Sequence, residues 1–246
     1  FSRLAVTGDG EFRLISDPPL IERIEDLLPA AQAAEFEEGM HQLLRSYRSS
    51  LQGDRRHLLE RYRYIDLARK VVGVGSVGTR AWVVLMLGRD DEDPLFLQCK
   101  EAQPSVLEPF VGKSEFSHHG RRVVEGQRMM QSASDIMLGW LRTTGIDGET
   151  RDFYVRQLWD WKSSADVEAM APPGMALYGR MCGGTLARAH ARSGDGIAIA
   201  SYLGRSDTFD RAICAFAETY ADQNELDHHA LEQAISSGRV KAESGV

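Results

Sequence analysis

The sequence lacks the features that mark membrane-spanning, secreted and nucleic-acid-binding chains. Its longest apolar run, Ala81 to Leu87, falls far short of the roughly 20 residues that a membrane helix needs. No charged-then-apolar leader opens the chain. The formal net charge is -7 and no basic block is present, which disfavours nucleic acid as a partner. The three cysteines lack metal-type spacing and are typical of reduced thiols, so we expect a cytoplasmic protein without a membrane partner.

The composition is that of an ordinary globular protein. Of the 246 residues, 43% are hydrophobic and 26% are charged, which is enough for one large domain or two small lobes with a sizeable core. The chain opens at Phe1 without an initiator methionine, so we expect it to be a piece of a longer protein.

A glycine pattern between two strand-like segments is the first candidate functional motif. The segment KVVGVGSVGTRAWVVLM places Gly73, Gly75 and Gly78 in the order G-x-G-x-x-G. A dinucleotide-binding unit would continue into a helix, but residues 79–86 are β-branched and aromatic and predict a strand. A Walker loop would end in Gly-Lys-Ser/Thr, which is missing. The pattern therefore predicts a glycine hairpin, which in protein kinases covers the nucleotide phosphates; a plain turn is the alternative.

A lysine on the next predicted strand extends this motif. In PLFLQCKEA, side chains alternate between the two faces of the strand, so Lys100 shares a face with Phe96 and Gln98. A lysine that follows a glycine hairpin on the adjacent strand is the natural phosphate-contacting residue of a kinase-like lobe. The alternative is an edge-strand lysine that discourages aggregation.

A kinase-like lysine also needs a carboxylate from the following helix to orient it. The segment HGRRVVEGQRMMQ predicts such a helix and supplies Glu125. Arg121 and Arg128 lie four residues before and three residues after it, so Glu125 is equally well explained by a local charge ladder on the helix surface.

The catalytic parts of a kinase are missing from the sequence. Kinases use His-Arg-Asp followed by an asparagine, and a metal-binding Asp-Phe-Gly. Asn224 is the single asparagine of the chain, and no Asp-Phe-Gly occurs. His190 and Asp195 are explained by a helix end and a turn, so we assign no catalytic residue.

Two histidine doublets were considered as metal ligands. Residues 118–119 and 228–229 lack a third ligand at suitable spacing, so we expect no zinc site.

The hydrophobic period changes along the chain and divides it into three parts. Residues 1–67 predict a turn between two strand-like runs followed by a helical region over 21–64, residues 68–165 predict a nucleotide-binding lobe, and residues 166–246 a helical region. The lobe has the order β-β-β-α-β-β of a kinase N-lobe, so the fold class is α+β with one antiparallel sheet of about five strands. The predicted strands are 68–75, 79–88, 95–102, 136–143 and 153–159, and the predicted helices are 120–134, 175–192, 207–222 and 225–236.

Several literal strings resemble a known bacterial family. They are SDPPLI, VVGVGSVGTR, LFLQCKEAQPSVLEPF, RRVVEGQRMMQSASDIMLGW, YVRQLWDWKSSAD, TLARAHARSGD and YADQ. In this order they are similar to the domain-of-unknown-function 2252 family, over essentially the whole chain.

The resemblance implies a rearranged kinase-like protein. Full-length members of the family are similar to kinase-like phosphotransferases, with a Gly-Asp-x-His-x-x-Asn segment and an Asp-rich metal-type segment upstream of the region matched here. The chain then looks like the C-terminal portion, which carries the glycine hairpin, Lys100 and Glu125 without the catalytic loop. Its partner would be the upstream part of the same protein.

Three hypotheses follow for the function. In the first, the chain is the nucleotide-binding half of a phosphotransferase that uses ATP with Mg and a small hydroxyl compound. The backbone around Gly75, Ser76, Val77 and Gly78 would cap the phosphates and Lys100 would bridge them. In the second, the same lobe is a non-catalytic pseudokinase-like module for ligand sensing or partner docking. In the third, it is a structural interaction domain in which the glycines serve the turn alone.

Overall fold

The structure of the chain is a computed structural model that describes residues 4–8, 11–71, 73, 78–90, 92–145, 147–158 and 163–242. The chain divides into two compact units, residues 1–185 and 186–246. In the described ranges, every helix is too short or too polar to cross a membrane.

The first unit contains two antiparallel sheets and six helices among its described residues. A small sheet pairs β1 with β2, and a larger sheet has the strand order β3-β4-β5-β6-β8-β7. The strands are β1 Ala5–Gly8, β2 Glu11–Leu14, β3 Ile21–Arg23, β4 Arg63–Lys70, β5 Ala81–Leu87, β6 Pro94–Ala102, β7 Gly139–Thr144 and β8 Thr150–Gln157. The helices are α1 Ile24–Leu27, α2 Ala30–Ser50, α3 Gly53–Leu59, α4 Glu108–Val111, α5 His119–Met130 and the first part of α6 Pro172–Ser193.

The second unit is helical. It contains the end of α6, then α7 Gly196–Leu203 and α8 Thr208–Ser236. Asp195 begins α7 as its N-cap, where its carboxylate accepts hydrogen bonds from the backbone N–H groups of Ile197 and Ala198 at 2.9 and 3.0 Å.

The two faces of the large sheet carry different cores. On the first, here called the helical face, Leu95, Leu97 and Cys99 of β6 belong to a core with side chains of α2 and α3. On the second, here called the hairpin face, Phe96 packs in a core with the β1–β2 hairpin. Because β6 is covered on both sides, its side chains read as a nearly continuous apolar run, with Lys100 close to its end.

The helical face is closed by α2, which lies against β7. Tyr47 is almost fully buried there, and its hydroxyl donates a hydrogen bond to the carbonyl oxygen of Met137. A Cβ atom added to Gly139 would lie 2.6 Å from Oγ of Ser50 and 2.8 Å from the Tyr47 ring, so only glycine lets the helix approach the strand this closely. Ser50 also accepts the backbone N–H of Trp140 at 2.9 Å.

On the hairpin face, a buried aspartate joins three strands. One carboxylate oxygen of Asp66 in β4 accepts the backbone N–H of Leu14 and the Nε–H of Arg23, both at 3.0 Å. The other oxygen accepts the backbone N–H of Leu67 at 2.8 Å. The carboxylate is 4% exposed, and these bonds compensate the cost of its burial.

Helix α5 packs on the hairpin face over β7 and β8. Its first turn is fixed by Asp152 of β8, which accepts the backbone N–H of His119 at 2.7 Å and pairs with Arg142 of β7 at 2.5 Å. A negative charge at this end of the helix is favourable because the first backbone N–H groups have no partner within the helix. Gly120 then lies directly on the backbone of Phe153.

The predicted α+β fold class is confirmed. β4, β5, β6, α5, β7 and β8 follow one another in the predicted order, with the short helix α4 inserted before α5. All strand pairs of the large sheet are antiparallel, and α5 lies against one face. The β1–β2 hairpin is also where the two strand-like runs were predicted. The division into three domains stays a prediction.

The helical interpretation of residues 21–64 was wrong at both ends. Ile21–Arg23 is strand β3, which pairs with β4 and adds a sixth strand to the sheet. Strand β4 begins at Arg63, five residues before the predicted start. A strand of three residues shows no period of its own, and β3 exists because β4 is there to pair with it.

The helical C-terminal part differs from the prediction in two places. Residues 208–236 form the single helix α8, because Asn224 in a helix interior costs well under 1 kcal/mol and does not break it. Helix α7 was not predicted, although Asp195 before an apolar run is a typical N-cap. The last residue of the strand predicted over 153–159, Trp159, lies outside the described residues.

Two glycines of α5 give a matched test of this packing. Gly120→Ala should destabilise the fold by about 1–3 kcal/mol, because the new methyl group would collide with the carbonyl group of Phe153. Gly126→Ala, in the same helix with open space around it, should stabilise the fold by about 0.5–1 kcal/mol. Urea unfolding of both variants measures the difference. Equal effects of the two substitutions would show that α5 does not lie on β8.

Candidate functional site

The candidate site lies at one end of the large sheet, where β6 is paired with β5 on one side and β8 on the other. Lys100 is the direct Cα partner of Ala81 in β5 and of Tyr154 in β8. Ala81 is the first residue of the strand that follows the glycine segment, so Lys100 lies next to the end of that segment. Directly opposed residues share a face, and this face is the hairpin face, on which α5 also packs.

The glycine segment is described only at its ends. Gly75, Ser76 and Val77 lie outside the described residues, so the predicted phosphate-capping backbone stays a prediction. Gly78 has a φ of +81°, in the left-handed region that favours glycine. Both interpretations, a phosphate-binding hairpin and a plain turn, expect such a glycine.

Glu101 fixes the end of the glycine segment from the opposite face. It accepts the backbone N–H of Arg80 at 3.1 Å and a guanidinium N–H of the same residue at 3.3 Å. Arg80 also pairs with Asp147 in the β7–β8 turn at 2.8 Å. This network therefore links the glycine segment, β6 and the β7–β8 turn.

The carboxylates of this network are held in their charged forms. Burial by itself would raise the pKa of Glu101, but hydrogen bonds from Gln103 and Arg80 outweigh it and lower the pKa below its usual value. The hydrogen bond from Arg151 is the main cause that lowers the pKa of Asp147 to about 2. Both groups therefore stay ionised at neutral pH.

Glu125 lies on α5, and within the described residues its ion pairs are with arginines of the same helix. Its carboxylate is 3.8 Å from Arg121 and 3.6 Å from Arg128, both in its own helix. These two guanidinium groups also lie over the ring of Trp140, at 5.6 and 5.7 Å from its centroid. The contacts are those of the local charge ladder that the sequence left open as the alternative.

The sequence interpretation missed a second cation, Arg156, on the same face of the sheet as Lys100. Arg156 of β8 is the direct partner of Gln98, two residues before Lys100 on the same side of β6. Its Nε and Nη2 donate to Oε1 of Gln98 at 3.2 and 3.1 Å. Gln98 is 5% exposed. The alternation of Phe153 and Val155 with Tyr154 and Arg156 was a signal in the sequence, because it predicts that Arg156 points away from the core that contains Phe153 and Val155.

A cavity of about 940 Å³ opens on the helical face, opposite Lys100. It lies between α1, α2 and the sheet, and most of its lining is apolar. Three arginines line it as well: Arg69 pairs with Glu22, and Arg80 and Arg151 pair with Asp147. Since each guanidinium already has a carboxylate partner, the cavity offers little unbalanced positive charge to a phosphate.

The histidine doublet of α8 has a carboxylate close to it. Glu232 lies 3.1 Å from His229 and 3.7 Å from His228, so the spacing argument overlooked a third donor. All three side chains are well exposed on α8, where such ion pairs one turn apart are common without a metal. Asp195 caps α7, as expected for a turn aspartate, and among the described residues it makes no hydrogen bond or ion pair with His190.

The Glu101 network gives a test based on pH. A lowered folded-state pKa contributes stability that is present above the unfolded value, about 4.3 for glutamate, and is lost as the pH falls through the folded value. Glu101→Gln should cost about 1–2 kcal/mol at pH 7 and should reduce the loss of stability between pH 5 and pH 3. Urea unfolding across this range measures it, with the exposed Glu115→Gln as the control. Identical pH profiles for wild type and Glu101→Gln would contradict the assigned role.

Comparison with known proteins identifies the family. The family model described as an uncharacterized protein conserved in bacteria, domain-of-unknown-function 2252, matches residues 1–234. Neither a curated protein nor a solved structure matches the chain. The matched region covers nearly all of the chain, including the whole large sheet, α5 and Lys100. The chain therefore belongs to the bacterial DUF2252 family.

Proposed function

We propose that the chain is the nucleotide-binding half of a kinase-like phosphotransferase whose substrate is unknown. The observation that carries the proposal is the position of Lys100, directly opposite Ala81, where the strand after the glycine segment begins. A hairpin that covers phosphates and a lysine on the adjacent strand that reaches them need this relation. The edge-strand alternative for Lys100 is disfavoured, because β6 has neighbours on both sides.

In this proposal ATP binds together with Mg. The backbone N–H groups of Gly75, Ser76, Val77 and Gly78 cap the phosphates, Gly73 permits the turn, and the Lys100 ammonium makes charge-assisted hydrogen bonds to phosphate oxygens. We assign no residue of this chain to the metal ion.

Glu125 takes part only after a movement of α5. In kinases the helix carboxylate holds the lysine, and rotation of the helix is a common way to make or break that pair. Here Glu125 must leave Arg121 and Arg128 before it reaches Lys100. The arrangement described above then corresponds to a state in which the lysine is not yet oriented by α5.

The alternative proposal is a non-catalytic, pseudokinase-like module that senses a ligand or docks a partner. Such a module would have the same nucleotide site as the phosphotransferase but would not transfer a phosphoryl group. A Gly-Asp-x-His-x-x-Asn segment upstream in the full-length gene product would favour the enzyme. A small hydroxyl compound is the favoured substrate class, by analogy between folds alone.

Substitution of Lys100 tests the proposal. In the full-length gene product, Lys100→Ala should weaken binding of Mg-ATP by about tenfold or more, because a charge-assisted bond to phosphate is worth about 1.5–3 kcal/mol. Its melting temperature should change little. Isothermal titration calorimetry and melting curves measure both quantities. Lys113→Ala, a substitution of an exposed lysine in a loop, is the matched control and should leave ATP affinity unchanged.

Two outcomes would contradict the proposal. If the wild-type protein binds no nucleotide of any base, the glycines serve the turn alone. If Lys100→Ala binds as tightly as wild type, Lys100 is not the phosphate-contacting residue.

A second prediction concerns the 246-residue chain alone. It should bind Mg-ATP weakly and transfer no phosphoryl group. Kinases accept the hydroxyl proton and place the metal ion with the catalytic-loop motif and Asp-Phe-Gly, and the sequence has neither motif. Incubation with γ-labelled ATP, with water or a mixture of small hydroxyl compounds as acceptor, measures transfer. Turnover above that of a Lys100→Ala preparation would show that the chain contains its own catalytic group.

A further inference from the structure

The arginines of β8 differ in the groups that neutralise them. Arg151 pairs with the carboxylate of Asp147 at 2.7 Å. Arg156, five residues on, donates two hydrogen bonds, from Nε and Nη2, to the neutral amide oxygen of Gln98. Across the part of the chain that the structure describes, no carboxylate lies within 4 Å of Arg156. Among the described residues, the charge of Arg156 is therefore held in place by a neutral group and has no carboxylate partner.

A partly buried guanidinium without a counter-charge is costly. Removal of a cation from water is offset in proteins by an acidic partner, by metal or ligand contacts, or by a bound anion. Three other arginines of the large sheet have an acidic partner: Arg142 pairs with Asp152, Arg23 with Asp66, and Arg69 with Glu22. Within the described ranges Arg156 departs from this pattern, since both of its hydrogen bonds go to a neutral amide oxygen. A guanidinium has five N–H donors, which is enough to hold Gln98 and an anionic ligand together.

The position of Arg156 places this charge beside Lys100. Lys100 opposes Tyr154 and Gln98 opposes Arg156, so Lys100 and Arg156 are diagonal neighbours on one face. Such Cα atoms are about 7–8 Å apart, which is within the reach of long side chains that meet a common ligand. The charge of Arg156 is felt locally: it opposes the rise that burial causes in the pKa of Tyr154.

The geometry points to Arg156 as a second phosphate-binding cation beside Lys100, held by Gln98, so that the site selects ligands with two or more linked phosphates. This inference rests on the proposed nucleotide-binding function and adds the ligand class to it. Arg156 forms bidentate contacts to phosphate through its planar guanidinium, whereas Lys100 acts as a point charge. Gln98 is a positioning residue, because it acts through Arg156.

The competing explanation is structural. Arg156 then only satisfies the buried amide oxygen of Gln98, and its substitution lowers stability without any effect on ligand choice. The two explanations differ in how substitution of Arg156 changes the ratio of ATP affinity to AMP affinity. A purely structural role leaves this ratio unchanged, whereas a phosphate-binding role lowers it.

The experiment compares AMP, ADP, ATP and inorganic tripolyphosphate by titration calorimetry on the full-length gene product. For wild type, affinity should rise by at least tenfold from AMP to ATP. Arg156→Gln should weaken ATP and tripolyphosphate binding by about tenfold or more, and AMP binding by less than about threefold. Arg89→Gln makes the same charge change at an 84% exposed site in the β5–β6 turn and should leave all affinities within about twofold.

Two further variants separate ligand binding from folding. Arg156→Lys keeps the charge without the bidentate geometry, and its ATP affinity should lie between those of wild type and Arg156→Gln. Gln98→Leu removes the group that holds Arg156, and it should reduce the ratio of ATP to AMP affinity. If Arg156→Gln does not fold, as judged by circular dichroism, the ratio of ATP to AMP affinity in these two variants shows whether Arg156 binds phosphate.

The outcomes distinguish this inference from the function on which it rests. Wild-type protein that binds neither ATP nor tripolyphosphate overturns both. Wild-type protein that binds ATP through Lys100, with the ATP-to-AMP ratio unchanged in the Arg156 and Gln98 variants, overturns the inference alone. An equal loss of ATP affinity in Arg89→Gln would also overturn it, because the effect would then be one of net charge.

Discussion

The pairing register of β6 between β5 and β8 is the constraint on which the rest of the structure depends. Side chains of a strand alternate, so a slip of one residue would exchange every contact between the two faces. The observed register sends Leu97, Cys99 and Glu101 to the helical face and Lys100 to the hairpin face. Cys99 is buried on the first of these faces, and this burial raises the pKa of its thiol to about 12.

Three carboxylates, two buried and one half-buried, connect the elements around this sheet. Asp66 joins the β1–β2 hairpin and Arg23 to β4, Asp152 joins the start of α5 to β8, and Glu101 joins the end of the glycine segment to β6. Each accepts backbone N–H groups as well as guanidinium N–H groups, which compensates its desolvation. The elements around the candidate site are thus positioned by specific polar bonds in addition to apolar packing.

The presence or absence of a carboxylate partner distinguishes structural arginines from candidate ligand-binding ones. Where Arg80, Arg142 and Arg151 meet carboxylates, they hold turns and strands together. Arg156 meets a neutral amide on the face of Lys100 and is the one we assign to a ligand. Glu125 illustrates the opposite case, because its carboxylate lies beside Arg121 and Arg128 in this structure and its role at the candidate site stays a prediction.

The sequence by itself determined the α+β class, the order of the elements from β4 to β8 and the side of β6 on which Lys100 lies, because hydrophobic period and strand alternation are local properties. It did not determine β3, the continuity of α8, or the partners of Glu125 and Arg156. These depend on the tertiary structure. A three-residue strand forms only beside its neighbour, and a charged side chain chooses its partner among groups that the fold brings together from distant parts of the chain, as Gln98 and Arg156 are.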